Sequence, residues 1–392
     1  MSMTGCGARA ALVVGVVASL LTTGTAPAVG QEVPGVTLEA AKSAIDFGEK
    51  VSLTGRISPP QADQTVHIID QEGRERAVVT TNDRGRFTLR LRPRYSTQLA
   101  ARWVALISAP VDITVRPDVS VRLRNVRLFG TARIIGTVRP IQESGEIAVR
   151  LFRSGRRIDH RRLPLRDGRW FSSAFRVTKA VKYRARASFT DPDGARGADD
   201  SARVAPPLPS LAPGSQGAAV RLLETRLRAL AYHLGGVVDR RYDKRTADAI
   251  RAFNKIEGRT RIGTVDATTW RALANANRAR PRYRTDGFHI EVDQTRQVLM
   301  MVKNSRVTGI LHVSTGAGAA TRDGDYRVYR KLAGYSGGRL YYPSYFDGLR
   351  ALHGWPEVPT YNASHGCVRL PMWSARWVHA KADKGTAIRI YH

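Results

Sequence analysis

The feature that most constrains how this chain folds is an internal repeat. Gly55-Arg56-Ile57-Ser58-Pro59 returns 81 positions later as Gly136-Thr137-Val138-Arg139-Pro140, and Asp83-Arg84-Gly85-Arg86-Phe87 returns 83 positions later as Arg166-Asp167-Gly168-Arg169-Trp170. Two copies of one unit therefore occupy the stretch from Val36 to Val204. The text inside each copy is strand-like. Val51, Leu53 and Ile57 alternate with Ser52, Thr54 and Arg56, which directs one set to a core and the other to water.

After the Gly-Arg turn, Phe87, Leu89 and Leu91 share a face in the first copy, while the second runs through Phe171, Phe175 and Val177, a register slipped by one. Several strands in roughly eighty residues is the size of a small β-sandwich, so two immunoglobulin-like modules are expected at 36–116 and 117–204. His67 and His160 are isolated there, and no acidic cluster has metal-ligand spacing. A spacer or a binding surface is the expected role.

With 392 residues, several domains are expected. The formal net charge is +30, carried by 53 arginines and 10 lysines spread over every segment rather than gathered in a tail. Such a field attracts polyanions, which outside a cell are anionic wall polymers and lipid surfaces. Zinc-finger spacing, RNA-recognition signatures and basic heptad helices are missing, so a specific nucleic-acid partner is not expected.

Arg9, the apolar run Ala10 to Leu21 and Ala26-Pro27-Ala28 predict a signal peptide at 1–28. The run is shorter than the ~20 residues that span a bilayer, so no transmembrane anchor is expected after cleavage and the mature chain is expected to be secreted, at an extracellular or periplasmic face and associated with the wall. Cys6 leaves with the leader. Cys367 is then the only thiol, and a lone cysteine in an oxidising compartment is an intermolecular link or a reactive nucleophile.

Ala205 to Pro213 holds four prolines and predicts an extended linker of about 28 Å. A helical period follows over 214–274: Val220, Leu223, Leu227 and Leu230 on one face, then Ile250 and Phe253 after a cap at Asp243, then Trp270 and Leu273 after a cap at Asp266. The segment resembles the three-helix peptidoglycan-binding module through Gly214-Ser215-Gln216-Gly217, Leu230 to Tyr232, Thr246, Ala249 and Thr269-Trp270. It departs at Glu224, Asn254 and Arg240, the last where glycine is usual. Glycan strands are the partner this implies.

A second linker, 275–284, precedes a β-patterned domain at 285–392, in which Phe288, Ile290 and Val292, then Val298, Met300 and Val302, mark strands, with a hairpin turn at Lys303 to Arg306. His289 and His312 fall opposite the apolar faces, as solvated or satisfied histidines do. Near its end stands Ser364-His365-Gly366-Cys367, fourteen positions after His353.

A thiol works as thiolate, and an imidazole or a helix N-terminus promotes its ionisation. His353 is available, and Pro371 followed by Met372 to Ala380 predicts a helix just beyond Cys367. Gly366 permits a sharp turn in which the N–H groups of Gly366 and Cys367 converge on an oxyanion. Of the two histidines, His365 lies two residues from the cysteine, where extended side chains run parallel. His353 can approach head-on, leaving His365 a positioning role.

Leu352-His353-Gly354 with Ser364-His365-Gly366-Cys367-Val368-Arg369-Leu370 resembles the active-site signature of the L,D-transpeptidase (YkuD-like) family. Agreement extends through Val313-Ser314-Thr315-Gly316, Thr321, Gly324, Tyr326, Tyr342-Pro343 and Phe346, with Arg322 and Tyr326 departing from the usual residues. The resemblance implies a mainly β catalytic domain acting on peptidoglycan stem peptides without metal or cofactor. It forms an acyl-enzyme, releases D-alanine and makes a 3→3 cross-link. It implies Cys367 as nucleophile, His353 as proton acceptor and donor, Gly354 as an orienter through its carbonyl, and Ser364, His365, Gly366, Arg369 and Tyr342 around the oxyanion and substrate, with Tyr341 to Phe346 in a lid. The alternatives are an L,D-carboxypeptidase with water as acceptor and a non-catalytic wall adaptor.

Overall fold

The computed structural model describes residues 33–236 and 238–392. The expected signal peptide at 1–28, Cys6 included, lies outside the described residues. The chain is mainly β and divides into two compact units, the first ending at Val115 and the second spanning Arg116–His392. Among the described residues, no helix is long and apolar enough to cross a membrane.

In the first unit, Gly35–Ala40, Val51–Ser58 and Arg86–Leu91 form one antiparallel sheet, and a second is built on Thr65–Asp70, Thr97–Trp103 and Val111–Arg116. The two sheets line one core that includes Leu53, Ile68, Leu99 and Ile113. The second unit begins in the same way. Asp118–Arg124, Thr131–Arg139 and Trp170–Arg176 face a four-stranded sheet of β1 (Glu146–Arg153), β2 (Arg156–Pro164), β3 (Tyr183–Thr190) and β4 (Arg196–Asp200), ordered β2-β1-β3-β4, over a core including Val149, Phe171 and Tyr183.

The repeat has a packing cause. A Cβ on Gly55 would lie 2.2 Å from Phe87 Cζ, and one on Gly136 would lie 2.2 Å from Phe171 Cζ, so each strand needs glycine where an aromatic ring crosses it. Phe87 therefore corresponds in space to Phe171 rather than to Trp170, which accounts for the slipped register.

Three helices follow: α1 (Ala218–Ala229), α2 (Lys244–Ile256) and α3 (Ala267–Asn275). Asp243 and Asp266 cap α2 and α3 by accepting from the N–H groups of Thr246 and Thr269. Glu224 and Asn254 turn inward. Glu224 accepts from Thr246 Oγ1 at 2.9 Å and from the Arg240 N–H at 3.2 Å, and Asn254 donates to the Ile262 carbonyl at 2.9 Å. Arg240 holds a φ of 68°, the left-handed conformation that glycine adopts without strain.

The proline-rich stretch is not a free spacer. Leu211 exchanges two 2.8 Å backbone hydrogen bonds with Val265, and the Trp270 indole donates to the Pro209 carbonyl at 2.8 Å, so the segment lies along the helical module. Leu211 is buried in that module's core, a burial that outweighs the polyproline preference for solvent.

The C-terminal domain has two sheets. The first contains β5 (Phe288–Asp293), β6 (Val298–Lys303), β7 (Arg306–His312), β8 (Gly324–Arg327) and β12 (Ala387–Tyr391), ordered β7-β6-β5-β12-β8. The second joins Arg330–Lys331, β9 (Leu340–Asp347), β10 (Arg350–Trp355) and β11 (Val368–Pro371), and α4 (Met372–Lys381) packs on β9 and β10. Asn304 and Ser305, at φ 49° and 59°, make the β6-β7 turn with both central residues left-handed, the twist a two-residue hairpin needs. The outer side of the first sheet is continuous with the helical core: Val298, Met300, Val302, Val307 and Ile310 pack in one cluster with Leu227, Ile250 and Phe253.

Candidate active site

β10 and β11 run parallel, with Leu352 beside Val368 and His353 beside Arg369. In-register residues of parallel strands point to one face, so one further step places Cys367 beside Ala351. His353, Trp355, Cys367 and Arg369 share that face. Leu352, Val368 and Leu370 point the other way into the core, and Gly354 lies beneath α4. A Cβ on Gly354 would fall 2.8 Å from Ala375 Cβ and 3.0 Å from Tyr341 Cδ1, so glycine here lets the helix approach. The 356–367 segment is thus a crossover between two parallel strands, and sheet pairing rather than the loop itself brings His353 toward Cys367.

His353 is buried, and its Nδ1 lies 2.9 Å from the Gly354 carbonyl. That carbonyl accepts the Nδ1 proton, leaving Nε2 with a free lone pair. Burial pushes the imidazole down to about 4, the nearby Arg369 charge acts in the same direction, and the Gly354 bond opposes them. The ring meets Trp355 edge-on at 5.6 Å, and the Arg369 guanidinium lies 4.9 Å over the same indole.

Cys367 is partly buried, its Sγ 3.7 Å from the Leu349 carbonyl. Burial pushes the thiol up, while the Ala351 N–H and the charges of Arg369 and Arg350 pull it down. Both shifts favour a neutral imidazole and a protonated thiol over an ion pair. The expected helix begins at Met372, but four residues of β11, about 13 Å of strand, separate it from the thiol. A helix dipole fades within about one turn, so α4 does not activate the sulfur.

The turn before Cys367 is stitched by Ser364. Its Oγ donates to the Cys367 carbonyl at 2.5 Å and accepts the Gly366 N–H at 3.0 Å. The Gly366 N–H is therefore committed, a correction to the expected oxyanion pair. Gly366 has φ 125°, and a Cβ there would meet Arg350 Nε at 2.9 Å and the Ala320 carbonyl at 3.0 Å, so only glycine fits. Thr321 Oγ1 donates to the Gly366 carbonyl at 2.8 Å and accepts the Gly316 N–H at 2.7 Å. His365 is exposed.

Tyr341 to Phe346 lie within β9 rather than in a lid, and Tyr345 and Phe346 are buried. Tyr342, at a bulge with φ 48°, turns its ring to His379 at 5.3 Å and to Arg376 at 5.5 Å, both on α4. The structure places it against the helix, not with His353 and Cys367. The alternation of β10 puts Trp355 on the face of His353, a signal the sequence carried. Arg350, which donates to the Ala320 carbonyl and pairs with Asp347, carried none.

A groove of about 530 Å³ opens beside this face, lined by Trp355, Arg369 and Tyr361 and walled by Lys244, Asp248 and Arg251 of α2. The helical module is fastened there. Trp373 Nε1 donates to Asp248 at 3.0 Å, Arg261 to the Thr360 carbonyl at 2.6 Å and Lys244 to the Pro356 carbonyl at 3.3 Å. Deeper, Lys255 of α2 is buried in the catalytic domain, donating to the Gln297 and Val313 carbonyls at 2.8 and 2.9 Å and lying 2.6 Å from His312 Nδ1. His312 Nε2 reaches the Val358 carbonyl at 2.8 Å, and His289 contacts Glu291 at 3.1 Å, so both histidines are satisfied but neither is solvated. Among the described residues, no group of three or more His, Cys, Asp or Glu is placed to hold a metal ion.

Residues 287–390 match the profile of the L,D-transpeptidase catalytic domain (YkuD), and 216–273 match a putative peptidoglycan binding domain. Comparison with curated proteins found no match. Among solved structures, an L,D-transpeptidase (residues 123–326) from Xylanimonas cellulosilytica is 34% identical, covering 48% of this chain and 99% of that one, with a TM-score of 0.44. An L,D-transpeptidase from Stackebrandtia nassauensis is 24% identical, covering 46% of this chain and 98% of that one, with a TM-score of 0.30.

Proposed function

Because the chain belongs to the L,D-transpeptidase family, we propose that it is a secreted cysteine L,D-transpeptidase that makes 3→3 cross-links between peptidoglycan stem peptides. The observation that carries this reading is the shared face of His353 and Cys367 on paired parallel strands, with Nδ1 of the imidazole tied to Gly354 and Nε2 free.

In this mechanism Cys367 Sγ attacks the carbonyl of the third stem residue as His353 Nε2 takes the thiol proton. The C–N bond to the terminal D-alanine breaks, and His353 returns that proton to the departing amine. A thioester remains. An amine of a neighbouring stem then attacks it, His353 accepts the ammonium proton, and the Cys367 sulfur leaves and is reprotonated. The Cys367 N–H serves the oxyanion, Ser364, Gly366 and Thr321 hold the turn that aims it, and the groove beside Trp355 and Arg369 receives the stem. The binding domain holds the enzyme on glycan.

Incubation of the purified chain with disaccharide-tetrapeptide tests this by mass. Cross-linked dimer and free D-alanine are expected, with both abolished in Cys367→Ala. Dimer formation by Cys367→Ala would end the proposal. Tripeptide as the sole product at every acceptor concentration would replace it with a carboxypeptidase.

A further inference from the structure

We infer that the outer face of the β2-β1-β3-β4 sheet is a binding site for a linear phosphodiester polymer of the wall. This face presents arginines in cross-strand register. Arg150 of β1 stands directly opposite Arg186 of β3, and on its other side opposite His160 of β2. One row away, Ala148 is flanked by Arg162, and in the other direction Phe152 lies between Arg157 and Arg184. Arg157, Arg162 and Arg186 are exposed, and Arg150 and Arg184 are partly so.

One carboxylate set against this cluster is Asp200 of β4, which lies 3.8 Å from both Arg184 and Arg186, beyond hydrogen-bond distance. Five guanidinium groups thus share a face with two carboxylates, the weakly engaged Asp200 and Glu146 at the start of β1. Directly opposed like charges on a sheet are destabilising; Asp200, opposite Arg186 on its far side, offsets Arg186, but Arg150 faces only Arg186 and His160. An anion seated between the two arginines removes the repulsion. Guanidinium forks bind phosphate bidentately, and rows repeating about every 4.8 Å across strands and about 6.8 Å along them let one chain engage several forks.

The same face argues against nucleic acid. Phe152 is covered by the Arg184 guanidinium at 4.9 Å, which leaves the His160 imidazole as the open ring where single-strand binders present several stacking platforms. The face is built of four sheet strands, with no helix to enter a groove. The inference does not depend on the catalytic reading, because it rests on residues remote in sequence from Cys367.

The test uses the full chain, with sodium polyphosphate of defined length as probe and affinity measured over a salt series. The quadruple variant Arg150→Gln, Arg162→Gln, Arg184→Gln, Arg186→Gln is expected to lose affinity about tenfold or more. The slope of log affinity against log salt should flatten by about 0.7 for each phosphate the variant no longer neutralises. Its melting temperature should hold or rise, because a repulsion has been removed. The control changes the same net charge at exposed arginines that face no other arginine across a strand pair: Arg122→Gln, Arg127→Gln, Arg176→Gln, Arg221→Gln. An equal loss in the control would reduce the effect to net charge and overturn the site. Tighter binding of single-stranded DNA than of polyphosphate per phosphate would overturn it in favour of a nucleic-acid surface, and equal dependence of anionic-vesicle binding on the four arginines would overturn it in favour of a lipid surface.

Discussion

His353 sets the pH behaviour of the site through its surroundings rather than its residue type. Burial holds the imidazole down at about 4, so it remains a neutral base across the range in which an ordinary histidine would already be protonated. The acid limb of kcat/KM is therefore expected near pH 4 rather than 6.5, and a pH–rate profile on a tetrapeptide stem checks it. A limb at 6.5 would mean the ring is solvated in the working enzyme. Linkage gives the same group a stability signature: unfolded histidine takes a proton below 6.5 and the folded one does not, so stability falls as pH drops from 6.5 toward 4. Cys367 moves oppositely, pushed up by burial. The two shifts favour the neutral form of each group, so in the proposed mechanism proton transfer is expected to accompany attack rather than precede it.

Among the elements, α2 acts across two domains. Lys255 projects from it into a site made of two backbone carbonyls and His312 Nδ1, and burial pushes its ammonium down to about 6, helped by the charges of Arg261 and Arg251. Lys255→Met should strand the Gln297 and Val313 carbonyls, costing about 2 kcal/mol or more. It should also flatten the pH dependence of stability: with the folded pKa below the unfolded value near 10.5, stability in the native chain rises with pH between about 6 and 10.5, by up to about 1.4 kcal/mol per unit. Urea unfolding at several pH values measures both effects. Nothing in the sequence marked Lys255, because its partners are two main-chain carbonyls and one histidine of another domain, 42 to 58 residues on, and side-chain patterns do not encode main-chain acceptors. What the sequence did carry was local: the Asp243 and Asp266 caps, the strand alternation, and the thiol with its distant histidine. The Ser364 bond to the Gly366 N–H is a turn contact two residues long, and the burial of Tyr345 arises from the pairing of β9 with β10; strand alternation specifies neither.

At the scale of the molecule, the helical module and the catalytic domain are one folding unit. Val298, Met300, Val302, Val307 and Ile310 lie on the outer side of the β7-β6-β5 sheet and are covered by α1 and α2 residues. Ile310 also exchanges backbone hydrogen bonds with Ala231 and His233, and the His233 ring stacks on Trp377 at 3.7 Å. Uncovering five such side chains forfeits about 1.5–3 kcal/mol each, a sum comparable to the 5–15 kcal/mol that holds a typical domain together. A fragment of residues 285–392 is therefore expected to be insoluble or molten, without near-ultraviolet dichroism or thiol-dependent turnover. A chain beginning at Arg116 keeps the whole second unit and should turn over soluble stem peptide at the full-length rate. A folded, fully active 285–392 fragment would show the seam to be dispensable. The contrast between the two truncations separates an anchor that merely tethers from one that completes the wall of the groove. Lys244, Asp248 and Arg251 line that groove from α2 while Trp373 and Arg261 clamp it, so loss of the helices would remove one wall of the groove.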